Sequence, residues 1–386
     1  MTAAPLSLGK VIGDQVSVQD YVDEESIFNI FFKEEKKINE ILEKNKSKFI
    51  KELWNRFFIE KSFKFTLNKQ NEIYIKHHKS DLDQIFRYVN FRYLFHLAGS
   101  QKIDLGYPPY ILIEPVSTCN LRCPFCYQTD KTFTKKPYMG VMKIELFKKV
   151  IDQADLLGTG AITIASRGEP TLHKDLKEML QYLNTKKNIM EKKLNTNGTF
   201  LTEEICHSIF KSNLTQVVIS SDHYEKKEYE RLRLGSNFES VVKNADMLFN
   251  IRKKYYPKSL TEIRISGINN DRNLDKEKFK NFWIKRSDHV TVGLPLERWD
   301  TYNNDIHPKI NDPCENLWDR MYVWFDGKVN PCDSDYKSYL SYGNANDSNL
   351  KDIWENNIIK KLRNDHVSNN RNKIDPCNKC GITFTT

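Results

Sequence analysis

Three cysteines fall in one short run, Ser-Thr-Cys-Asn-Leu-Arg-Cys-Pro-Phe-Cys, at Cys119, Cys123 and Cys126. Three thiolates can hold three irons of a cubane 4Fe–4S cluster and leave the fourth iron open to a ligand. Closure by four cysteines permits electron transfer but leaves no iron vacant. Zinc is the alternative, but it takes four ligands, typically as two Cys-x2-Cys pairs. This loop offers one such pair plus a cysteine upstream, with no obvious fourth ligand nearby. A second set, Cys314, Cys332, Cys377 and Cys380, lies some two hundred residues on. Four thiolates make one closed set, and chemistry alone leaves structural zinc and a 4Fe–4S cluster both open. Cys206 stands apart on an apparent helix, Thr202–Phe210, and reads as a buried packing thiol.

These cysteines must be held by larger elements. From about Pro108 the rhythm is strand, loop, helix. Strands are predicted at Ile111–Glu114, Ala161–Ala165, Lys192–Asn195, Gln216–Ser220, Glu262–Ser266 and His289–Gly293, with helices between them such as Lys143–Leu157, Leu172–Asn184 and Phe238–Lys254. Six such repeats imply a parallel sheet with crossover helices, either an open doubly wound sheet or part of a barrel. The first cysteine loop follows the first strand. Before it, helical spacing runs from about Ser26 to Lys61. Phe63, Phe65 and Leu67 alternate, with Ile73 and Ile75 across a polar Asn68–Asn71 turn, which reads as a hairpin. Leu82 to Leu97 reads as another helix. Past Trp299 the pattern breaks. Met321–Phe325, an Asp326-Gly-Lys turn and Val329–Cys332 form a second hairpin carrying two of the later cysteines near its base. The expected organisation is residues 1–107 as a mainly helical accessory region, 108–305 as the α/β unit and 306–386 as a small hairpin-plus-helix unit.

The 386 residues suffice for a full α/β core plus additions. The net charge of +9 comes from lysines interleaved with glutamates, as in Lys33–Lys37, and describes a solvated surface rather than a nucleic-acid patch. No long apolar run predicts a membrane span, and the N-terminal residues lack a signal-peptide pattern, so a cytoplasmic, reducing location is expected.

With these motifs in order, the chain resembles the radical S-adenosylmethionine (SAM) superfamily. The resemblance implies a partial (β/α)6 TIM-type barrel in which the open iron chelates SAM. Further segments carry the resemblance at the strand ends, where α/β ligands bind. Phe125 matches an aromatic that lies against adenine. Ser166-Arg-Gly-Glu-Pro170 is similar to the family's Gly-Gly-Glu-Pro motif, implying SAM contacts from Ser166, Gly168 and Glu169. Arg167 departs from that motif and is free to reach a substrate acid. Asn195-Thr-Asn-Gly198 is similar to the ribose-side turn, implying Asn195 and Asn197, and Ser220 resembles the residue that bonds the methionine carboxylate. Tyr229–Phe238 looks like the arginine–glycine–phenylalanine stretch of the subgroup with a C-terminal cysteine domain. The later cysteines resemble SPASM and "twitch" domains, implying an auxiliary 4Fe–4S cluster, so two clusters in all.

The resemblance implies a 5′-deoxyadenosyl radical that abstracts hydrogen, with the electron supplied by a flavodoxin or ferredoxin. One auxiliary cluster favours net oxidation of a small polyol-like molecule. Peptide crosslinking or epimerisation is the alternative, and a zinc-binding scaffold is the remote one. Asp222, Glu297, Asp333 and Asp335 are the main proton-acceptor candidates, with His223 and Asp300 behind them. Arg264 and Arg298 are candidates for binding an anionic group.

Overall fold

A computed structural model describes residues 6–7, 31–44, 47–59, 65–66, 68–295, 300–306 and 311–382. Its centre is a sheet whose parallel strands are β1 (Tyr110–Ile113), β2 (Ala161–Ile164), β3 (Glu191–Thr196), β4 (Gln216–Ser220), β5 (Glu262–Ile268) and β6 (His289–Gly293). They lie in chain order, and helices connect them. Alternate residues divide the two faces. Ile111, Ile162, Leu194, Val217 and Ile263 pack under the helices in one apolar core, while Leu112, Val218 and Thr291 line the concave side. The mixed α/β architecture is a partial TIM-type barrel.

The sheet does not end at β1. Strand β7 (Arg320–Val323) runs parallel to β1, in register from Tyr110 opposite Arg320 to Ile113 opposite Val323. Strands β8 (Lys328–Asn330) and β9 (Gly343–Asn344) follow antiparallel, giving nine strands in the order β9-β8-β7-β1-β2-β3-β4-β5-β6. The C-terminal hairpin is therefore a continuation of the barrel wall.

The N-terminal region contributes α1 (Glu35–Lys44), α2 (Lys48–Phe58), α3 (Lys69–His77) and α4 (Leu82–Ser100). Helix α4 lies against the starts of the strands. Phe91 packs so close to Gly160 that a Cβ there would sit 2.1 Å from the ring. Tyr88 donates to Glu191 at the foot of β3 (2.7 Å), and Arg92 pairs with the same carboxylate (3.3 Å). These helices close the lower end of the concave face and leave the upper end open. The hairpin expected around Phe63–Ile75 is absent. Asn68 and Asn71 instead form a reciprocal capping box, each side chain accepting from the other's backbone N–H (2.9 and 3.2 Å), and start α3. Phe65–Thr66 is a short strand paired in parallel with Leu6–Ser7, and Phe63 lies outside the described residues. No helix among the described residues is long and apolar enough to cross a membrane.

Candidate active site

A cavity of about 810 Å3 opens at the carboxyl ends of the strands. Cys119, Cys123 and Cys126 all line it, on the loop that leaves β1. That loop is fixed from several sides. Leu121 N–H donates to the Cys119 sulfur (3.4 Å), and Cys126 N–H donates to the Cys123 carbonyl (3.0 Å). Asn197 Nδ2 reaches Asn120 Oδ1 (2.9 Å) and the Cys119 sulfur (3.8 Å). Burial pushes the Cys119 thiol up to about 11 and raises Cys123, while the Arg233 guanidinium acts against burial at Cys123. Thiols held this way would ionise on binding a cationic metal such as iron.

The turn after β2 sits directly beneath this loop. A Cβ at Gly168 would meet the carbonyl oxygens of Val116 and Thr118 at 2.2 and 2.4 Å, so only glycine permits the approach. Glu169 is buried and accepts four hydrogen bonds, from Thr171 N–H, Thr171 Oγ1, Thr196 Oγ1 and Asn197 N–H, at 2.6–3.1 Å. Burial outweighs them and raises its pKa. Its carboxylate welds the β2 turn to the β3 turn. Ser166 holds φ at 125°, a strained value for a residue with a Cβ. The positive φ thus falls one residue before Arg167. Ser166 Oγ, Asn195 Oδ1 and Thr291 Oγ1 are buried in the cavity wall with no hydrogen-bond partner. Buried polar atoms are rarely left without partners, and a polar, zwitterionic cofactor such as SAM would fit this wall. Ser220 lines the same wall, as does Phe125, whose ring has the Arg233 guanidinium 5.9 Å from its centroid.

Several sequence candidates have other duties. Asp222 is buried, pairs with Arg233 (2.7 Å) and accepts from Ile268 N–H (2.8 Å), and it does not line the cavity. Asp335 accepts from Tyr302 OH (2.6 Å), Tyr339 N–H (2.9 Å) and Leu340 N–H (2.7 Å), and burial raises its pKa to about 6. Both are structural carboxylates rather than bases facing a substrate. Asp333 does line the cavity, beside Cys332. Arg167 does not reach for substrate: it is locked by a fork onto Glu114 (2.6 and 2.5 Å). Arg264 is buried on β5, where it and His289 hold Glu262 below the usual carboxylate range despite its burial. His223 and Asp300 stand outside the cavity wall. Glu297 and Arg298 lie outside the described residues.

The later cysteines lie just after β8, in the segment before β7 and in the C-terminal turn. Burial raises Cys332, and its thiol also feels the charges of Cys377, Cys314 and Cys380. Cys377 in turn feels Cys314 and Cys380. Among the described residues, no three such ligands converge on the position of one metal ion. Cys206 is fully buried in the main core, where burial pushes its thiol up to about 12.

Sequence reasoning missed Gln128 and Glu114. Gln128 Nε2 donates to the carbonyls of Ser117 (2.7 Å) and Arg167 (2.5 Å), and so ties the cysteine loop to the β2 turn. Its position two residues after Cys126 was the available signal. Glu114, an acid closing an apolar strand, was visible as an anomaly.

Comparison with known proteins fits this geometry. Residues 113–271 match the family model described as the radical SAM superfamily, and residues 314–381 match that of an iron–sulfur cluster-binding domain, SPASM. Among curated relatives, GTP 3′,8-cyclase of Clostridium botulinum is 28% identical over 162 residues, 42% of this chain and 49% of the relative. That of Aquifex aeolicus is 26% identical over 49% of this chain and 58% of the relative. The chain thus spans about half the length of the curated relatives it matches. Among solved structures, BtrN in complex with AdoMet and 2-DOIA aligns over 72% of this chain and 95% of that one, at 20% identity and a TM-score of 0.50. Streptococcus suis SuiB bound to precursor peptide SuiA aligns over 77% and 84%, at 14% identity and a TM-score of 0.54. At these identities the likeness shows the fold.

Proposed function

Because the chain belongs to the radical SAM superfamily and carries a C-terminal SPASM domain, we propose that it catalyses net oxidation of a small, neutral or amino-bearing, hydroxylated substrate. As an enzyme of this class it uses iron–sulfur clusters and SAM. An iron–sulfur cluster held by Cys119, Cys123 and Cys126, together with SAM, would supply one-electron radical chemistry able to take hydrogen from an unactivated carbon.

The protein's part is placement. Cys119, Cys123 and Cys126 would hold the SAM-binding cluster, and Cys314, Cys332, Cys377 and Cys380 the auxiliary one. Ser166, Gly168, Asn195, Asn197 and Ser220 would receive the polar end of SAM, and Phe125 its adenine. Glu169 keeps their turns in place. The cavity continues past this site to Arg320, Tyr322 and Asp333. Its far wall therefore adjoins Cys332, and a substrate seated there lies between the two cysteine sets. That position suits loss of an electron to an auxiliary cluster once hydrogen has been taken. Asp333, a carboxylate on the cavity wall next to Cys332 in sequence, is the proposed acceptor of the accompanying proton.

The charge balance of the cavity carries the substrate class. Each described cationic side chain on its wall already has a carboxylate: Arg167 has Glu114, Arg233 has Asp222, Arg320 has Asp319 (2.6 Å) and Lys379 has Asp375 (3.0 Å). Asp305 and Asp333 also line the cavity. A polyanion such as a nucleoside triphosphate would meet a neutral-to-acidic wall, so the activity named for the curated relatives is not carried over. The volume, within the range of small-molecule sites, accommodates a compact substrate beside SAM. The BtrN complex shares this fold across most of its length. A second reading, modification of a peptide side chain, has one observation in its favour: Leu294 and Ile306 are exposed at the cavity rim, 52% and 59% respectively. A flavodoxin or ferredoxin is the proposed reductant.

The test is anaerobic turnover with deuterated aminocyclitols, sugars and peptides. Deuterium arriving in 5′-deoxyadenosine from a hydroxyl-bearing carbon of a small molecule, with a ketone product, supports the proposal. Transfer only from peptides moves it to the second reading.

A further inference from the structure

The SAM-binding turn and the auxiliary-cysteine domain share a buried joint, and Arg167 is its centre. This residue stands where the family motif has glycine, and it is 3% exposed. Its Nε and Nη2 fork onto Glu114 at the end of β1. Its third nitrogen, Nη1, donates to the Tyr336 carbonyl at 2.7 Å, across 169 residues of sequence. The guanidinium plane lies 4.3 Å from the Trp324 ring centroid and 5.4 Å from that of Phe133. Three peptide segments are thus gripped by one side chain: the strand that launches the cysteine loop, the SAM-binding turn and the loop after Cys332.

Neighbouring contacts reinforce the same joint. Tyr127, next to Cys126, stacks on Tyr336 with centroids 5.1 Å apart, and its hydroxyl donates to the Ser166 carbonyl (3.3 Å). Tyr336 OH donates to Asp130 (3.0 Å), which Lys337 also pairs with (2.7 Å). Beyond Tyr336, the loop is fastened to the auxiliary side through Asp335, which holds Tyr339, Leu340 and Asn330. The Ser166–Glu169 turn is thus joined by direct contacts to the loop that follows Cys332. Because Ser166 sits at a strained φ, the turn keeps its shape only while its neighbours impose it.

We propose that Arg167 is a positioning residue that makes the SAM-binding turn and residues 335–340 one mechanical unit, so that SAM occupancy orders the auxiliary-cysteine loop. The inference rests on SAM binding at this turn, and it adds that the second cysteine site senses that binding. Coupling is reciprocal: loosening the auxiliary loop weakens SAM binding to the same extent. The auxiliary site is thereby readied only when the radical source is in place.

Hydrogen–deuterium exchange of the anaerobic two-cluster holoprotein, with and without SAM, tests it. In the wild type, SAM slows exchange in 166–169 and 195–198, and also in 335–340, there by about tenfold. The Glu114→Gln/Arg167→Met pair removes both charges at once, so no ion is stranded. It should need more SAM to reach saturation, and at saturating SAM it should keep protection of the barrel turns but lose most of that in 335–340. Glu114→Gln alone, which keeps the Tyr336 contact, should retain it. If the double variant does not fold, Arg167→Lys serves: an ammonium can neutralise Glu114 but cannot fork and also reach Tyr336. Protection of the barrel turns without any change at 335–340 in the wild type overturns the inference, as does full protection of 335–340 in the variant that folds. Absence of SAM protection at the barrel turns refutes SAM binding there instead.

Discussion

Glu169 is a buried carboxylate on the cavity wall that joins two of the turns around it. Both oxygens are occupied by protein donors from two turns. Glu169→Gln would turn one oxygen into an NH2 group facing N–H or O–H donors. The mismatch costs about 1–3 kcal/mol, and SAM affinity, read by calorimetry on the anaerobic protein, should fall about tenfold or more. Its membership in the site was legible from Ser166–Pro170, but its partners Thr196 and Asn197 are brought in by strand pairing that no local pattern reveals. Asp222 and Asp335 were legible as acids near the site. Their commitments to Arg233 and to the Tyr302 hydroxyl and loop amides depend on folding at a distance. Arg167 was legible as a departure from glycine, while Glu114 and Tyr336, which give it a purpose, lie 53 and 169 residues away.

At the scale of elements, the six barrel strands were readable because each is an apolar run closed by a polar or glycine-containing turn. The Asn68–Asn71 stretch misled because a capping box and a hairpin turn use the same polar residues. Continuation of the sheet into β7 was not readable, since parallel pairing across such separation leaves no local periodicity. Two predictions belong here. Gly168→Ala forces a methyl onto the Val116 and Thr118 carbonyls and so displaces the cysteine loop. Iron bound at the first site and SAM affinity should both drop, while the auxiliary site keeps its iron. The second concerns Lys192, buried on β3, whose pKa burial lowers to about 8. The unfolded chain binds this proton more tightly, so the charged lysine destabilises the fold below about pH 8, and that penalty fades as pH rises toward its unfolded pKa of about 10.4. Lys192→Met should therefore raise Tm at pH 7, by on the order of 1–3 kcal/mol of stability, and much less at pH 10. Equal gains at both pH values would contradict this.

The whole molecule is a barrel wall extended by its auxiliary domain, closed below by the N-terminal helices and open above between two cysteine sets. Two cubanes predict about eight irons and eight sulfides per chain after anaerobic reconstitution. Cys377→Ala should lower that count toward about four while sparing the first site. Zinc at the C-terminal cysteines would instead appear as metal without sulfide. The two cysteine sets were legible in their spacing. What lay beyond reading was the joint between the units, which is made of tertiary contacts. The central claim is that Cys119, Cys123 and Cys126 hold a cluster with an iron open to SAM. Its most direct test is 5′-deoxyadenosine formation from SAM by the reconstituted, dithionite-reduced protein, alongside Cys123→Ala. The account predicts formation by the wild type, loss with Cys123→Ala, and persistence of at least slow cleavage with Cys377→Ala. A fully loaded, reduced wild type that binds SAM and never cleaves it, or a Cys123→Ala variant that cleaves it as well as the wild type, would contradict it.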